Sequence, residues 1–224
     1  MKYWVLEKVL TQSWADFEAI EHAVEASKGA WVSHTRRQMP WRQLLKEEVA
    51  ALGKPLCLEV HASNWGLACN AAHYIDEFAW WSGENCLSVD TLGLDESWTE
   101  SKRSRFFEVF GSLEVEFSGD CQLTLNASTE NGPIRLSVRG PLGAIDIGDT
   151  EGTATHSDGR SLDGRLLYMS ETSVLVVRDL LQGGTCDLPT LSETRTPHRY
   201  FLDAMLKHWN ESGDAAATEY LPIT

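Results

Sequence analysis

The apolar residues of this chain keep two rhythms, and the change from one to the other limits the fold more than any other feature. From Phe106 onward they alternate: Leu113, Val115 and Phe117 with Glu114 and Glu116, then Cys121, Leu123 and Leu125 with Gln122, Thr124 and Asn126. Ser118-Gly119-Asp120 supplies the turn between these runs. Ile134, Leu136 and Val138 follow Asn131-Gly132-Pro133, and Ala144 to Ile147 follows Gly140-Pro-Leu-Gly143. A period of two punctuated by such turns describes an antiparallel meander with one wet face.

Ahead of that point the pattern is different. Tyr3 to Leu6 is a short apolar run ending at Glu7-Lys8, which suits a buried strand that delivers polar groups at its carboxyl end, where open α/β sheets place ligands. Ser13 caps a helix with Asp16 at the third position and Phe17, Ile20 and Val24 on its inner face, closed by Lys28-Gly29. Ala30 to Ser33 is a second strand, so the opening segment is a parallel strand-helix-strand unit. A helix from Trp41 to Leu52 and a strand from Leu56 to Ala62 follow. Near the other end, a helix spans Ser173 to Leu181. The last helix opens at Thr196-Pro197 and stops at Gly213.

Between the two rhythms lies Trp65 to Gly83, capped by Ser63 or Asn64. At 3.6 residues per turn, Asn70, His73, Asp76 or Glu77, and Trp80 share one stripe of a mostly apolar helix. Such a helix is expected to be buried, and its polar groups must be paired with one another or with a ligand. His73 and Asp76 are three apart and can touch, one fixing the other's protonation state as acid/base chemistry near neutral pH requires. For an isolated His-x-x-Asp, mutual satisfaction under a sheet is the commoner outcome.

Composition removes several function classes. Nineteen basic against thirty-three acidic side chains give a net charge of -14, which repels a phosphate backbone and argues against nucleic acid. The basic clusters, Arg36-Arg37 with Arg42 and Lys102-Arg103 with Arg105, read as solvated faces or local salt-bridge donors. Five scattered cysteines fit neither a disulfide framework nor a zinc knuckle, and point to a reducing cytoplasm. Glu7 and Lys8 interrupt the apolar start before a signal peptide develops, and no run is long enough to span a membrane. Paired-carboxylate hydrolysis finds no support, because the adjacent Asp76 and Glu77 diverge on a helix. The remaining histidines lack metal-ligand spacing. Most tryptophans are expected in the core, with Trp80 or Trp65 as the candidates for a sugar-stacking pocket wall.

The order of segments resembles the glucose-fructose oxidoreductase, inositol dehydrogenase and rhizopine-catabolism (Gfo/Idh/MocA) family. Val5-Leu-Glu-Lys-Val-Leu-Thr-Gln-Ser13 is similar to its Glu-Lys-Pro passage and Ser-capped helix, and Val32-Ser-His-Thr-Arg-Arg37 to its next strand and arginine. Asn70-Ala-Ala-His-Tyr-Ile-Asp76 is similar to its His-x-x-Asp helix, and Pro197-His-Arg-Tyr-Phe-Leu202 to its late helix. The implied fold is α/β plus α+β: residues 1–35 as a partial dinucleotide-binding, Rossmann-type unit, and residues 36–224 as a substrate-binding and oligomerisation domain with a mostly antiparallel open sheet and helices on one face.

The implied function is hydride transfer between NAD or NADP and a hydroxyl of a sugar, sugar derivative or cyclitol. Lys8, His73 and Asp76 would be the catalytic residues, Asn70, Arg36, Arg37 and Trp80 would line the substrate pocket, and Glu7 and Lys8 would face the cofactor. The antiparallel sheet would join copies into a homo-oligomer. The alternative is a non-catalytic sugar-binding or association module derived from the same family. This sequence departs from the family pattern in three ways. Val9 replaces the usual proline, so a trans Lys8–Val9 bond is expected. Cys69 stands where many relatives carry aspartate. The first half of the nucleotide-binding domain, with its Gly-x-Gly-x-x-Gly turn, is missing, as in a truncated form.

Overall fold

The structure is a computed structural model that describes residues 2–63, 65–212 and 218–224. It opens with β1 (Tyr3–Leu6), α1 (Trp14–Val24) and β2 (Gly29–Val32), the two strands pairing in parallel. Ser13 caps α1 as its sequence requires, its hydroxyl accepting the Asp16 amide at 3.1 Å. Phe17, Val24 and Val32 bury the inner side of this unit against Leu191. A 3-10 turn (Thr35–Gln38) leads into α2 (Pro40–Ala50), with Pro40 in the first turn, where its missing amide proton costs nothing.

Next come β3 (Cys57–Ser63), α3 (Leu67–Ser82), β4 (Cys86–Leu94), and the hairpin strands β5 (Thr99–Glu100) and β6 (Phe107–Glu108). The meander follows as β7 (Gly111–Phe117), β8 (Gln122–Ser128), β9 (Arg135–Gly140), β10 (Gly143–Gly148), β11 (Thr153–His156) and β12 (Ser161–Asp163). Helices α4 (Met169–Gly183) and α5 (Leu191–Glu211) complete the described fold.

The large sheet runs β12-β11-β10-β9-β3-β8-β7-β4. Every pairing in it is antiparallel except β3 with β8. Alternation decides its faces: Leu58, Val60, Leu113, Val115, Leu123 and Leu125 point inward under α3 and α5, while Glu59, His61, Glu114, Glu116 and Gln122 face outward. Each fully buried aliphatic or aromatic side chain contributes roughly 1.5–3 kcal/mol, so this single face is the main source of stability. The architecture expected from the sequence, a parallel unit followed by a mostly antiparallel open sheet with helices on one face, is present.

Several local expectations need correction. α5 begins at Leu191, not at Thr196-Pro197, and Pro197 lies inside it. Thr190 and Glu193 form a reciprocal capping box, the hydroxyl taking the Glu193 amide at 3.2 Å and the carboxylate taking the Thr190 amide at 2.8 Å. The capping box fixes the start of the helix at Leu191, and Pro197 forgoes one main-chain bond inside it. The expected stop at Gly213 lies outside the described residues. Gly66, not Ser63, is the N-cap of α3, and Asn64 lies outside the described residues. β4, β5, β11 and β12 were not anticipated. The Lys8–Val9 peptide is cis; the expectation of trans rested on the amide's own preference, which takes no account of the surrounding fold.

Candidate functional site

Where β1 ends, the chain turns toward the N-terminus of α3. The Lys8 ammonium donates to the Cys69 carbonyl at 3.0 Å and lies 3.3 Å from its Sγ. No carboxylate among the described residues lies within ion-pair distance of it. Beside it opens a cleft of about 510 Å³ bordered by Glu7, Lys8, Trp65, Gly66, Cys69 and Asn70, and across from them by Thr99–Arg103, Glu108, Phe110 and Thr224. This is the size of a small-molecule site, with one aromatic wall and several polar groups. Trp65 meets Tyr74 edge-on at 5.3 Å, which fixes its ring. The Asn70 amide donates to the Gly66 carbonyl at 2.9 Å, and Glu7 accepts the Lys8 amide at 3.0 Å.

Among the described residues, Glu108 is the carboxylate that reaches the N-terminal amides of α3. It accepts the Ala68 amide at 2.9 Å and the Cys69 amide at 3.4 Å, supplying from β6 the cap that α3 lacks locally. Glycine at position 66 leaves room for this contact, because a Cβ there would displace the Glu108 carboxylate. Burial raises the carboxyl to about 7, against the opposing pull of the two amides and Lys8.

On its inner side Lys8 borders a second, much smaller hollow of about 30 Å³, shared with His34, Asp76, Thr194 and His198. His34 and His73 meet through their Nδ1 atoms at 3.2 Å, so one ring donates a proton that the other accepts. Burial lowers His34 to about 3, with Arg37 and Lys8 adding to the effect. It holds His73 well below the ordinary imidazole range, helped by His34, Lys8 and Arg36. Both rings are therefore neutral at pH 7.

The stripe read from the sequence does not act as one unit. Asp76 pairs with Arg37 in a two-pronged bond, 2.6 and 2.9 Å, not with His73. Burial raises its carboxyl to about 6 even so. Arg37 also reaches Glu193. Arg36 holds Asp149 at 2.8 and 2.9 Å, Tyr74 at 2.7 Å and Glu77 at 3.3 Å. Arg42, wholly buried, faces the same Glu77 and Asp149. Arg36 and Arg37 thus tie the 3-10 turn to α3 instead of lining the cleft. Trp80 lies apart from the cleft, beneath the Lys46 ammonium at 4.7 Å. Of the residues picked out in the sequence, the structure brings Glu7, Lys8, Asn70 and Trp65 to the cleft. It sets Asp76 and, through His34, His73 behind Lys8.

A nicotinamide dinucleotide needs a cradle for its pyrophosphate as well as a place for its reacting ring. The turn from β1 to α1, residues 7–13, contains no glycine, and the Asp16 carboxylate occupies the N-terminus of α1 that a phosphate would need. The described residues do not fit the pyrophosphate. They also hold no group of three or more His, Cys, Asp or Glu placed to bind a metal ion, and no described helix is long and apolar enough to cross a membrane.

No protein-family model matches this sequence, and no curated protein does. Solved structures do. UDP-N-acetylglucosamine 3-dehydrogenase GnnA from Acidithiobacillus ferrooxidans superposes with a TM-score of 0.68 at 12% identity, over 89% of this chain and 68% of that one. An oxidoreductase domain protein from Kribbella flavida gives 0.67 at 14% identity, over 93% and 72%. The super-repressor mutant of Gal80p from Saccharomyces cerevisiae gives 0.69 at 11% identity, over 96% and 74%. Identities this low establish shared architecture, and the architecture serves dehydrogenases and a repressor alike. The fold of this chain is the one that these oxidoreductases and the repressor share.

Proposed function

We propose that the chain is the substrate-binding part of an NAD(P)-dependent oxidoreductase acting on a hydroxyl of a sugar, sugar derivative or cyclitol. The observation that carries this reading is Lys8: an ammonium without a carboxylate partner among the described residues, at the end of a parallel strand, on the wall of a cleft of small-molecule size. A polyol suits that cleft. Its apolar ring face can lie on Trp65, its hydroxyls can bond Asn70, Thr99, Glu100 and Ser101, and Lys8 can donate to the oxygen of the reacting carbon. His73 and Asp76 act from behind: the neutral His34–His73 pair and the arginine-bound Asp76 keep Lys8 aimed outward without adding a second positive charge beside it. Glu7, next to Lys8, is assigned to the side facing the nicotinamide. The outward face of the sheet is the surface we assign to self-association, and free thiols at all five cysteines suit a reducing compartment such as the cytoplasm.

Calorimetric titration with a panel of hexoses and inositols tests the reading. One-to-one binding that weakens about 10-fold or more in Lys8→Met, the loss of one charge-assisted hydrogen bond, is expected. Binding unchanged in both Lys8→Met and Trp65→Ala would place the ligand elsewhere. The second reading, a sugar-binding module without redox chemistry, is favoured by Asp16 at the start of α1. Sugar binding without NADH or NADPH oxidation by any ketose or inosose would select it.

A further inference from the structure

The cleft has an overhanging rim. Residues 101–106 form the tip of the β5–β6 hairpin, and Lys102 and Arg103 on that tip border the cleft. The tip is well fixed. Ser101 and Phe106 bond through their main chains at 2.7 Å, the Ser101 hydroxyl holds the Arg103 amide at 3.1 Å, and the Arg105 amide donates to Glu100 at 3.0 Å. The Arg103 guanidinium donates to the Thr224 hydroxyl at 2.6 Å. At the hairpin's base, Glu108 clamps it onto the N-terminus of α3.

The charges of this cleft are not distributed like those elsewhere in the protein. Its three acidic side chains are each held by main-chain amides: Glu7 by Lys8, Glu100 by Arg105, and Glu108 by Ala68 and Cys69. Its three cations have no carboxylate within ion-pair distance among the described residues. Lys8 rests on a carbonyl and a thiol, Arg103 on a hydroxyl, and Lys102 projects into solvent. In a chain of net charge -14, most of whose other arginines are tied to acids, three cations without a carboxylate partner among the described residues border one cleft and can take an anion from outside.

Building on the function proposed above, we propose that the substrate is a phosphorylated sugar, its ring against Trp65 and Lys8 and its phosphate bound by Lys102 and Arg103. A phosphate suits this rim better than a carboxylate does, because two adjacent cations match a dianion and the arginine fork can bond two of its oxygens.

The test is calorimetric binding of glucose, glucose 6-phosphate, glucuronate and UDP-glucose to the whole chain, to Lys102→Gln/Arg103→Gln, and to Lys2→Gln/Lys28→Gln, which removes the same net charge from an exposed site elsewhere. Equal melting temperatures control for folding. At least one of the two phosphorylated sugars should bind about 10-fold tighter than glucose, the scale of one or two partly screened charge-assisted bonds. That advantage should vanish in the rim variant and persist in the control. The two phosphorylated ligands distinguish a monoester from a nucleotide diphosphate. Equal binding of glucose and both phosphorylated sugars overturns this proposal and leaves the sugar cleft standing. So does glucuronate matching the better phosphorylated sugar, or an advantage that survives in the rim variant or is lost in the control. Failure of every sugar to bind overturns both.

Discussion

Replacing Glu108 with glutamine should stabilise this protein at pH 8, although the side chain caps a helix. Removing a capping carboxylate ordinarily costs about 0.5–2 kcal/mol. Here the carboxyl titrates at about 7 in the fold and at 4.5 in the unfolded chain, so between those values the folded state holds a proton that the unfolded state has released. Stability therefore falls as pH rises from 4.5 to 7 and is flat above, by at most about 3 kcal/mol and nearer 2 once partial solvent contact is allowed for. Glutamine keeps an oxygen to accept the Ala68 amide and never ionises. The variant should match the parent within about 1 kcal/mol at pH 5 and exceed it by about 2 kcal/mol at pH 8. Urea titrations of both proteins at pH 5, 6, 7 and 8 measure the difference, in which every other titrating group cancels. A difference that stays flat across this range, or a less stable variant at pH 8, would show that the amides and Lys8 outweigh burial at this carboxylate.

Other consequences are as specific. Arg37→Met strands the buried Asp76 carboxylate and should cost about 3–5 kcal/mol in urea denaturation at pH 8, with Asp76→Asn in the same background recovering part of it. Burial lowers His34 to about 3 and His198 to about 4, with His73 lowered too. Below pH 6.5 the unfolded chain gains protons that these rings refuse, so they should remove up to about 1.4 kcal/mol per histidine for each pH unit, and His198→Gln should visibly flatten the acid limb of the stability curve. Gly66→Ala should displace Glu108 and cost about 1–2 kcal/mol, and its effect should not add to that of Glu108→Ala.

What the sequence disclosed followed the range of the forces involved. α1, α2 and the meander were legible because a cap, a proline or a strict alternation lies within a few residues of what it governs. β4 was missed: Cys86–Leu94 mixes Ser88, Asp90 and Gly93 with its apolar residues, and its pairing with β7 is irregular, so no clean period of two forms. Neighbours on the α3 stripe were found, but their partners were not. Asp76 is bound by a residue 39 positions away, and His73 leans on His34 across the same span. Glu108, 40 residues from the amides it caps, offers no local signal at all. Only the missing side-chain cap at Gly66 hints that some other element must supply one.

The arginines clarify why Lys8 is the group on which the chemistry should rest. A buried charge must be paired, and this fold pairs almost all of its own: Arg36 and Arg42 share Glu77 and Asp149, while Arg37 holds Asp76 and Glu193. Those bonds fasten the 3-10 turn, α2, α3 and α5 into a rigid block behind β1. The same desolvation keeps His34 and His73 neutral, so the block presents no competing cation to the small hollow that Lys8 shares with it. Lys8, at the boundary between that block and the open cleft, has only a carbonyl and a thiol for company. A carboxylate introduced at position 69 by Cys69→Asp should therefore bind the ammonium in place and weaken sugar binding, whereas Cys69→Ser should leave it within about 3-fold, and calorimetry on the two variants would expose the reverse order if the thiol itself were the working group.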